Sequence, residues 1–402
     1  MSSTSEWFEK LKAKENPFEI YGLTGNPFPA QPVASPSGYD FNEKIRVREL
    51  EEIRDKFLAP SMQGEPTNLW VIGPLGVGKS SLMLHVQHII NTKFGDNCMA
   101  LYIYSPIAGV ASIYKDFIDN LISIGLQNVV VRLAQKVIKV KPSLVEQKKV
   151  QRGQGSIYLT FESLRNAVTQ GILDLDGVIT ETKKNLFEKF PYIDSRIAEL
   201  VMEYLRAPED SIEALRNVKS ADKLNYLIGL VHLIRLAGFG MIYLFIDQLE
   251  MGWGKWTRTQ KDRFAIDVRE LVVRTKPLLS VEITCNEDII SDLEYNFPQL
   301  LRPLPKKPHT QVYVGVFNLP SVKKLVEWYL DKKRIDKNFG ELAPFEEEAI
   351  KEIYERTARN TYEILVVCHG LLNIAAQRKE KLITKKFVIE NLKEALGALP
   401  AY

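Results

Sequence analysis

The feature that most constrains this 402-residue sequence is one octapeptide and the chain on either side of it. Residues 73–80 have the sequence GPLGVGKS, after a short apolar run at 69–72 and before a helical pattern at 79–92. Glycines in such a strand-to-helix turn let backbone N–H groups curl around a phosphate at the amino end of the helix. The pattern therefore predicts a nucleotide-binding loop, with Lys79 on the β- and γ-phosphates and Ser80 on Mg²⁺.

We expect the whole loop to contact ATP. The predicted nucleotide-binding residues are Gly73, Pro74, Leu75, Gly76, Val77, Gly78, Lys79, Ser80 and Ser81. A magnesium-bound triphosphate needs a second anchor at the end of another buried strand. Asp247 closes the apolar run MIYLFI and is the predicted anchor, so that Ser80 and Asp247 hold the metal. The alternative is that Asp247 caps the helix that follows.

The residues after Asp247 bear on hydrolysis. Many ATPases with such a loop have a glutamate next, which polarises the attacking water, whereas here Gln248 follows and Glu250 comes two residues later. Glutamine can orient water but cannot accept a proton. Either Glu250 takes the role of the base, or hydrolysis is slow and the protein works as an ATP-bound switch. We favour slow or partner-stimulated turnover.

Two further polar residues complete the predicted catalytic set of Lys79, Asp247, Gln248, Glu250, Asn286 and Arg302. Asn286 follows the fourth predicted strand, where it suits contact with the γ-phosphate or the water; the alternative is that it caps the next helix. Arg302 comes after that helix, where an arginine can reach the γ-phosphate of a neighbouring subunit. Its alternative is a solvated arginine before a proline turn.

Short apolar strands alternate with helices after residue 68, which is typical of an α/β fold with a parallel sheet. Predicted strands lie at 69–72, 99–104, 241–246 and 278–284, with a helix at 113–124. Residues 125–225 exceed what a strand-to-helix connection needs, and they are expected to form a large helical insertion. Helices are predicted there at 163–168, 178–190, 193–205 and 221–236, and later at 321–335, 344–358, 361–379 and 384–397.

These patterns predict three domains. Residues 1–65 form an N-terminal extended segment and a helix that pack on the core. Residues 66–305 form a P-loop ATPase core that contains the insertion, and residues 306–402 form a helical lid.

In their order, these motifs resemble the AAA+ ATPases, within the branch of origin-recognition, helicase-loader and transposition-regulator ATPases. Besides the octapeptide, the resemblance rests on YGLTGNPF at 21–28, FNEKIRVRELEEI at 41–53, GFGMIYLFIDQLE at 238–250 and ITKKFVIENLKEAL at 383–396. It implies a three-layer P-loop NTPase sandwich with a helical lid, Mg²⁺-dependent ATP hydrolysis, assembly through ATP-bridged subunits, and action on DNA or on a DNA-bound partner.

The sequence departs from the family at the lid. The family's sensor arginine stands near the start of a lid helix, where this chain has Tyr362. Arg359, three residues earlier, is a candidate substitute.

A net charge of +3, from 53 Lys and Arg against 50 Asp and Glu, means that any nucleic-acid surface must be local. One basic stretch in the insertion comprises Arg132, Lys136, Lys139, Lys141, Lys148, Lys149 and Arg152, with Glu146 as its one acidic residue. It suits phosphate contact, or it is a solvated face. Trp253 and Trp256, interleaved with Lys255 and Arg258, either stack on bases or on a partner or, as we favour, fold onto their own domain.

The longest apolar run, at 228–246, is interrupted by His232 and Arg235 and does not suit a membrane span. The three cysteines have neither zinc-site nor disulfide spacing. We expect a cytoplasmic protein without membrane contact, assembled as a homo-oligomer or with a protein partner. Two alternatives remain open: a signalling or defence NTPase that gates a protein partner without touching DNA, and a structural P-loop protein that binds no ATP.

Overall fold

The computed structural model describes residues 16–32, 34, 41–65, 67–104, 106, 110–146, 160–298, 310–335 and 340–397. The chain divides into two compact units, each built from separated segments. The first, called the helical unit, comprises Met1–Arg48, Gly73–Ser81 and Val314–Tyr402. The second, called the sheet unit, comprises Glu49–Ile72 and Leu82–Tyr313. The domain boundaries near residues 65 and 305 stay predictions.

A five-stranded sheet forms the centre of the sheet unit. Its strands are β1 Leu69–Ile72, β2 Cys98–Tyr104, β3 Met241–Asp247, β4 Leu279–Cys285 and β5 Gln311–Tyr313. Their order is β2-β3-β4-β1-β5, and every neighbouring pair runs parallel. β3 and β4 bury every residue, as strands covered on both faces do. The predicted α/β class with a parallel sheet is confirmed.

Most of the predicted helices are present, and the structure adds five that were not predicted. In chain order they are α1 Val47–Ile53, α2 Ala59–Met62, α3 Lys79–Lys93, α4 Val110–Ile124, α5 Leu126–Val140, α6 Phe161–Thr169, α7 Leu175–Lys189, α8 Arg196–Met202, α9 Pro208–Arg216, α10 Lys223–Ala237, α11 Leu249–Trp253, α12 Arg258–Arg274, α13 Glu287–Asn296, α14 Leu319–Asp331, α15 Glu347–Arg356, α16 Thr361–Arg378 and α17 Lys385–Leu396. The sequence analysis missed α2, α5, α9, α11 and α12.

The insertion shares the core of the sheet. Val130 of α5, Val178 of α7 and Ile197 of α8 belong to the same buried cluster as Leu101 of β2 and Leu244 of β3. Burial of this continuous apolar surface ties the inserted helices to the sheet. The insertion is therefore part of the sheet unit and has no separate core in the part of the chain that the structure describes.

The N-terminal segment contributes to the core of the helical unit. Tyr21, Leu23 and Phe28 are buried together with residues of α14 to α17. The Tyr21 hydroxyl donates to the Glu380 carbonyl at 2.6 Å, and the Phe28 ring centroid lies 5.8 Å from that of Tyr329. The sequence analysis expected residues 1–65 to pack on the ATPase core, whereas these three side chains lie among the helices that follow residue 314.

Among the described helices, none is by itself both long enough and apolar enough to cross a bilayer. The pair Ile113–Ile124 and Leu126–Val140, bent by 73°, meets that length and composition only when the two are taken together.

Candidate nucleotide-binding site

The predicted phosphate loop has a backbone that depends on its glycines. Gly76 and Gly78 have φ angles of +79° and +93°, in the left-handed region that side chains disfavour. A Cβ atom on Gly73 would lie 2.2 Å from the Val314 carbonyl oxygen, so only glycine fits there. The loop ends where α3 begins at Lys79. A glycine loop at a helix amino end is an anion-binding arrangement.

Lys79 is the buried cation of this loop. Its side chain is 6% exposed, and the ammonium donates to the carbonyl oxygens of Gly73 at 2.8 Å and Pro74 at 3.0 Å. An ammonium donor beside a glycine loop at a helix amino end is an arrangement that binds phosphate, so the residues present fit the phosphate group of a nucleotide.

The first turn of α16 contacts the same loop. Asn360 is the N-cap: its Oδ1 accepts from the Tyr362 N–H at 3.0 Å, and its Nδ2 donates to the Leu75 carbonyl at 3.0 Å. The Tyr362 N–H also lies 3.1 Å from the Gly76 carbonyl. A Cβ on Gly76 would fall 2.4 Å from the Asn360 Oδ1. The left-handed glycine therefore admits the asparagine.

Arg46 holds the next peptide of the loop. The guanidinium, on a residue that is 5% exposed, donates through Nη2 to the Val77 carbonyl at 2.6 Å and through Nη1 to the Gly315 carbonyl at 3.0 Å. Its carbon lies 3.8 Å from the Phe317 ring centroid, a cation–π distance. Arg46 belongs to the FNEKIRVRELEEI segment, but sequence reasoning gave it no role.

In the sheet unit, Asp247 ends β3 and is fully buried. Its Oδ2 accepts from the Tyr102 hydroxyl on β2, and its Oδ1 accepts from the Thr284 hydroxyl on β4. Each carboxylate oxygen keeps a second lone pair, so the group can also bind a metal ion or accept from metal-bound water. Sequence reasoning missed Tyr102 and Thr284; the available signal was a hydroxyl side chain near the end of each flanking apolar strand.

Gln248 has a strained backbone. Its φ angle of 54° is left-handed, which in a residue other than glycine costs about 1–3 kcal/mol. Its N–H donates to the Thr284 hydroxyl at 3.0 Å, and this bond helps to hold the turn. Gln248, rather than Asp247, takes the N-cap position of α11, so the alternative in which Asp247 caps this helix is wrong. Glu250 lies in the first turn of α11.

The other predicted site residues have separate outcomes. Asn286 Oδ1 accepts from the Ile289 N–H at 3.1 Å and caps α13, which was its alternative role; contact with a γ-phosphate stays a prediction. Arg302 lies outside the described residues. The Arg359 guanidinium lies 5.4 Å from the Tyr354 ring centroid. Its role as a sensor stays a prediction.

The two tryptophans fold onto their own unit. Trp253 is 1% exposed and Trp256 is 8% exposed, and the Trp253 indole donates to the Asp292 carboxylate at 2.6 Å. Base stacking by these rings is therefore excluded in this conformation. Trp253 is the last residue of the short helix α11.

Part of the predicted basic stretch is engaged within the chain. Lys141 forms an ion pair with Glu181 and so contributes little net charge. Arg132 donates to the Asp96 carbonyl and also pairs with the Asp96 carboxylate at 3.6 Å. Lys136 donates to a backbone carbonyl, and Lys139 is exposed. The remaining three cations, Lys148, Lys149 and Arg152, lie outside the described residues.

Comparison with known proteins identifies the fold. No protein-family model matches the sequence, and no curated protein matches it. The solved ADPNP–ADP complexes of Aeropyrum pernix ORC2 match with a TM-score of 0.56 at 10% identity, over 91% of this chain and 72% of that chain. The chain has the fold of this ORC2 protein. The resemblance drawn from the motifs is thus confirmed at the level of the fold.

Two further solved structures match at lower TM-scores. The ADP form of Aeropyrum pernix ORC2 has a TM-score of 0.48 at 10% identity, over 96% of this chain and 74% of that chain. Aeropyrum pernix ORC1 in complex with DNA has a TM-score of 0.44 at 12% identity, over 94% of this chain and 69% of that chain. The fold comparison rests on the ADPNP–ADP structure.

Proposed function

We propose that this protein is an ATP-binding ATPase of the origin-recognition type, in which nucleotide controls an action on DNA or on a DNA-bound partner. The observation that carries the proposal is the buried Lys79 ammonium, held on a loop with two left-handed glycines at the start of α3. The shared fold with ORC2, whose solved structure contains ADPNP and ADP, supports nucleotide as the ligand class.

Magnesium is the proposed metal, with Ser80 and Asp247 as its protein ligands. A hydroxyl and a carboxylate are the hard oxygen donors that Mg²⁺ prefers. When bound, Mg²⁺ would neutralise charge on the phosphates. The Tyr102 and Thr284 hydroxyls would keep the Asp247 carboxylate in one orientation.

Slow turnover follows from the turn after β3. Gln248 stands where a base is common, and a neutral amide can orient water without taking its proton. We therefore propose an ATP-bound state that persists until a partner stimulates hydrolysis. Arg302 is the proposed contact to a neighbouring subunit's γ-phosphate, and the proposed location is the cytoplasm.

DNA contact is proposed at a basic corner of the sheet unit, defined as Arg132, Lys136, Lys189 and Arg235. Lys136 donates to the Leu236 carbonyl at 2.8 Å, and Arg235 donates to the Phe239 carbonyl at 3.2 Å. Arg132 donates to the Asp96 carbonyl at 2.6 Å, with the Asp96 carboxylate 3.6 Å away.

The charges of the basic corner act on one another. The pKa of Lys136 is lowered by burial first and then by the positive charges of Lys189, Arg235 and Arg132. Arg132 has the Asp96 carboxylate as an acidic partner, whereas Lys136 is surrounded by cations. Three other cations of the insertion have acidic partners: Lys183 pairs with Glu199, Arg206 with Asp176, and Arg216 with Asp119. The basic corner therefore concentrates charge that a phosphate backbone would neutralise.

A matched pair of triple variants tests DNA contact. K136Q/K189Q/R235Q removes three charges from the basic corner, whereas K183Q/R206Q/R216Q removes three paired charges from the same insertion region. Duplex DNA retention is measured with ATP and Mg²⁺ over a range of salt. We plot log affinity against log salt concentration. Each phosphate contact that the corner variant loses should make this slope shallower by up to about 0.9, while the control should keep the wild-type slope.

The outcomes separate the candidate functions. Equal retention by wild type and the corner variant would contradict DNA contact at this surface. If wild type binds ATP but retains no DNA at any salt concentration, the protein-gating NTPase is the better account.

A further inference from the structure

Five carbonyl groups of the phosphate loop accept hydrogen bonds from residues of the helical unit. Five consecutive carbonyls, from Gly73 to Val77, accept in turn from Lys79 twice, Asn360, the Tyr362 N–H and Arg46. Two of these donors are side chains far from the loop in sequence, Arg46 before it and Asn360 after it. The octapeptide at 73–80 identifies neither of them.

The bonded carbonyls determine where the N–H groups point. In a planar trans peptide, the C=O and the following N–H point in opposite directions. The carbonyls of Leu75, Gly76 and Val77 face their donors, so the N–H groups of Gly76, Val77 and Gly78 point to the other side of the loop. Those amides are the groups expected to receive a phosphate.

Bonding at the carbonyl also strengthens the amide. A hydrogen bond accepted by C=O polarises the peptide and makes its N–H a better donor. The Arg46 guanidinium carries a full positive charge, so it polarises the peptide more strongly than a neutral donor. It is buried and is held by the Gly315 carbonyl and the Phe317 ring. Asn360 is fixed by its own capping bonds to the Tyr362 and Glu363 N–H groups.

We propose that Asn360 and Arg46 are positioning residues for nucleotide phosphate, which act by orienting and polarising the loop amides from behind. Through Asn360, the first turn of α16 is also coupled to nucleotide, because the residue that caps this helix holds Leu75. The lid helix then senses nucleotide through the loop backbone rather than through an arginine at position 362. This inference rests on the proposed nucleotide binding.

The test uses N360D in the full chain, with ADP and Mg²⁺ as the probe. Aspartate keeps a side-chain oxygen that can cap α16 but lacks the amide N–H that donates to Leu75. We expect ADP affinity, measured by calorimetry, to fall by about threefold to tenfold, the net value of one hydrogen bond, while the melting temperature is maintained. ADP should protect the α16 first-turn amides from hydrogen exchange in wild type and less so in N360D.

N318D is the matched control. Asn318 caps α14 of the same unit, where its Oδ1 accepts from the Ser321 N–H at 2.9 Å. The same chemical change there should leave ADP affinity unaltered. R46K gives a second test at the other side of the loop: it keeps a charge but loses the fork that spans Val77 and Gly315, and we expect ADP binding at least about threefold weaker.

The outcomes separate this inference from the proposed function. No ADP binding by wild type would overturn both. Normal ADP binding by wild type and equally tight binding by N360D and R46K would overturn the positioning role alone. An equal loss of affinity in N318D would also overturn it, because the effect would then belong to any helix cap in the unit. If N360D lowers the melting temperature, its loss of ADP affinity no longer isolates the bond to Leu75. The ADP affinity of R46K then tests the positioning role.

Discussion

At the residue scale, one hydroxyl fixes the turn after β3. Thr284 donates to the Asp247 carboxylate and accepts from the Gln248 N–H, so it joins the predicted metal ligand to the residue that follows it. The left-handed backbone of Gln248 is maintained by this arrangement. The turn thus presents an amide, and not a carboxylate, directly after Asp247.

Restoring a base at this turn tests the slow-turnover hypothesis. We expect Q248E to raise ATP turnover by about 10²-fold or more, because a positioned general base contributes on that scale. Phosphate release at saturating ATP is the measurement. Q248N is the control, since it changes the side chain without supplying a base, and we expect no increase. Unchanged turnover in Q248E together with loss of turnover in E250A would show Glu250 to be the base.

The predictable residues of the site are those that a local pattern marks. Lys79 is in the octapeptide, and Asp247 ends an apolar run. Tyr102 and Thr284 could not be assigned, because their contacts depend on which strands lie beside β3. Asn360 bonds Leu75 across 285 residues of sequence, and Arg46 bonds Val77 across 31. No local sequence pattern shows such contacts.

At the element scale, the long apolar strands were predictable and the shortest one was not. β3 and β4 are continuous buried runs, whereas β5 has three residues and only Val312 is fully buried. α5 was missed because its cations drew the interpretation toward a charged surface. Its buried residues nonetheless recur at helical spacing: Leu126, Val129, Val130, Leu133, Ala134 and Val137.

α10 carries a buried histidine that makes stability depend on pH. His232 is 2% exposed, and its Nε2–H donates to the Arg274 carbonyl at 3.1 Å. Burial lowers its pKa below the ordinary 6.5, and the charge of Arg274 lowers it further against the opposing effect of the carbonyl. The unfolded chain therefore binds a proton that the folded chain excludes, so stability falls as pH drops below the unfolded value.

H232Q tests this pH dependence. Glutamine can keep a donor near the Arg274 carbonyl but does not titrate. We expect the decrease in melting temperature between about pH 7.5 and about pH 5.5 to be smaller in H232Q than in wild type. H88Q, at an exposed histidine, is the control and should keep the wild-type decrease. An identical decrease in wild type and H232Q would contradict the assignment.

At the scale of the whole molecule, the α/β class followed from the alternation of strands and helices, and the fold shared with ORC2 agrees with the resemblance drawn from the order of the motifs. The composition of the two units did not follow from the sequence. Gly73–Ser81 belongs to the helical unit together with the N-terminal segment and the chain after residue 314. Long-range contacts such as Tyr21 to Glu380 and Asn360 to Leu75 build that unit. Sequence patterns of local period cannot show such contacts.

Titration calorimetry with ATP and Mg²⁺ tests whether this protein binds ATP through Lys79. We expect wild type to bind ATP and K79A to bind at least about tenfold more weakly, since a charge-assisted contact to phosphate is lost. K93A, at the other end of α3 where the lysine is exposed, should bind as wild type does. No binding by wild type, or equal affinity in K79A, would contradict the account.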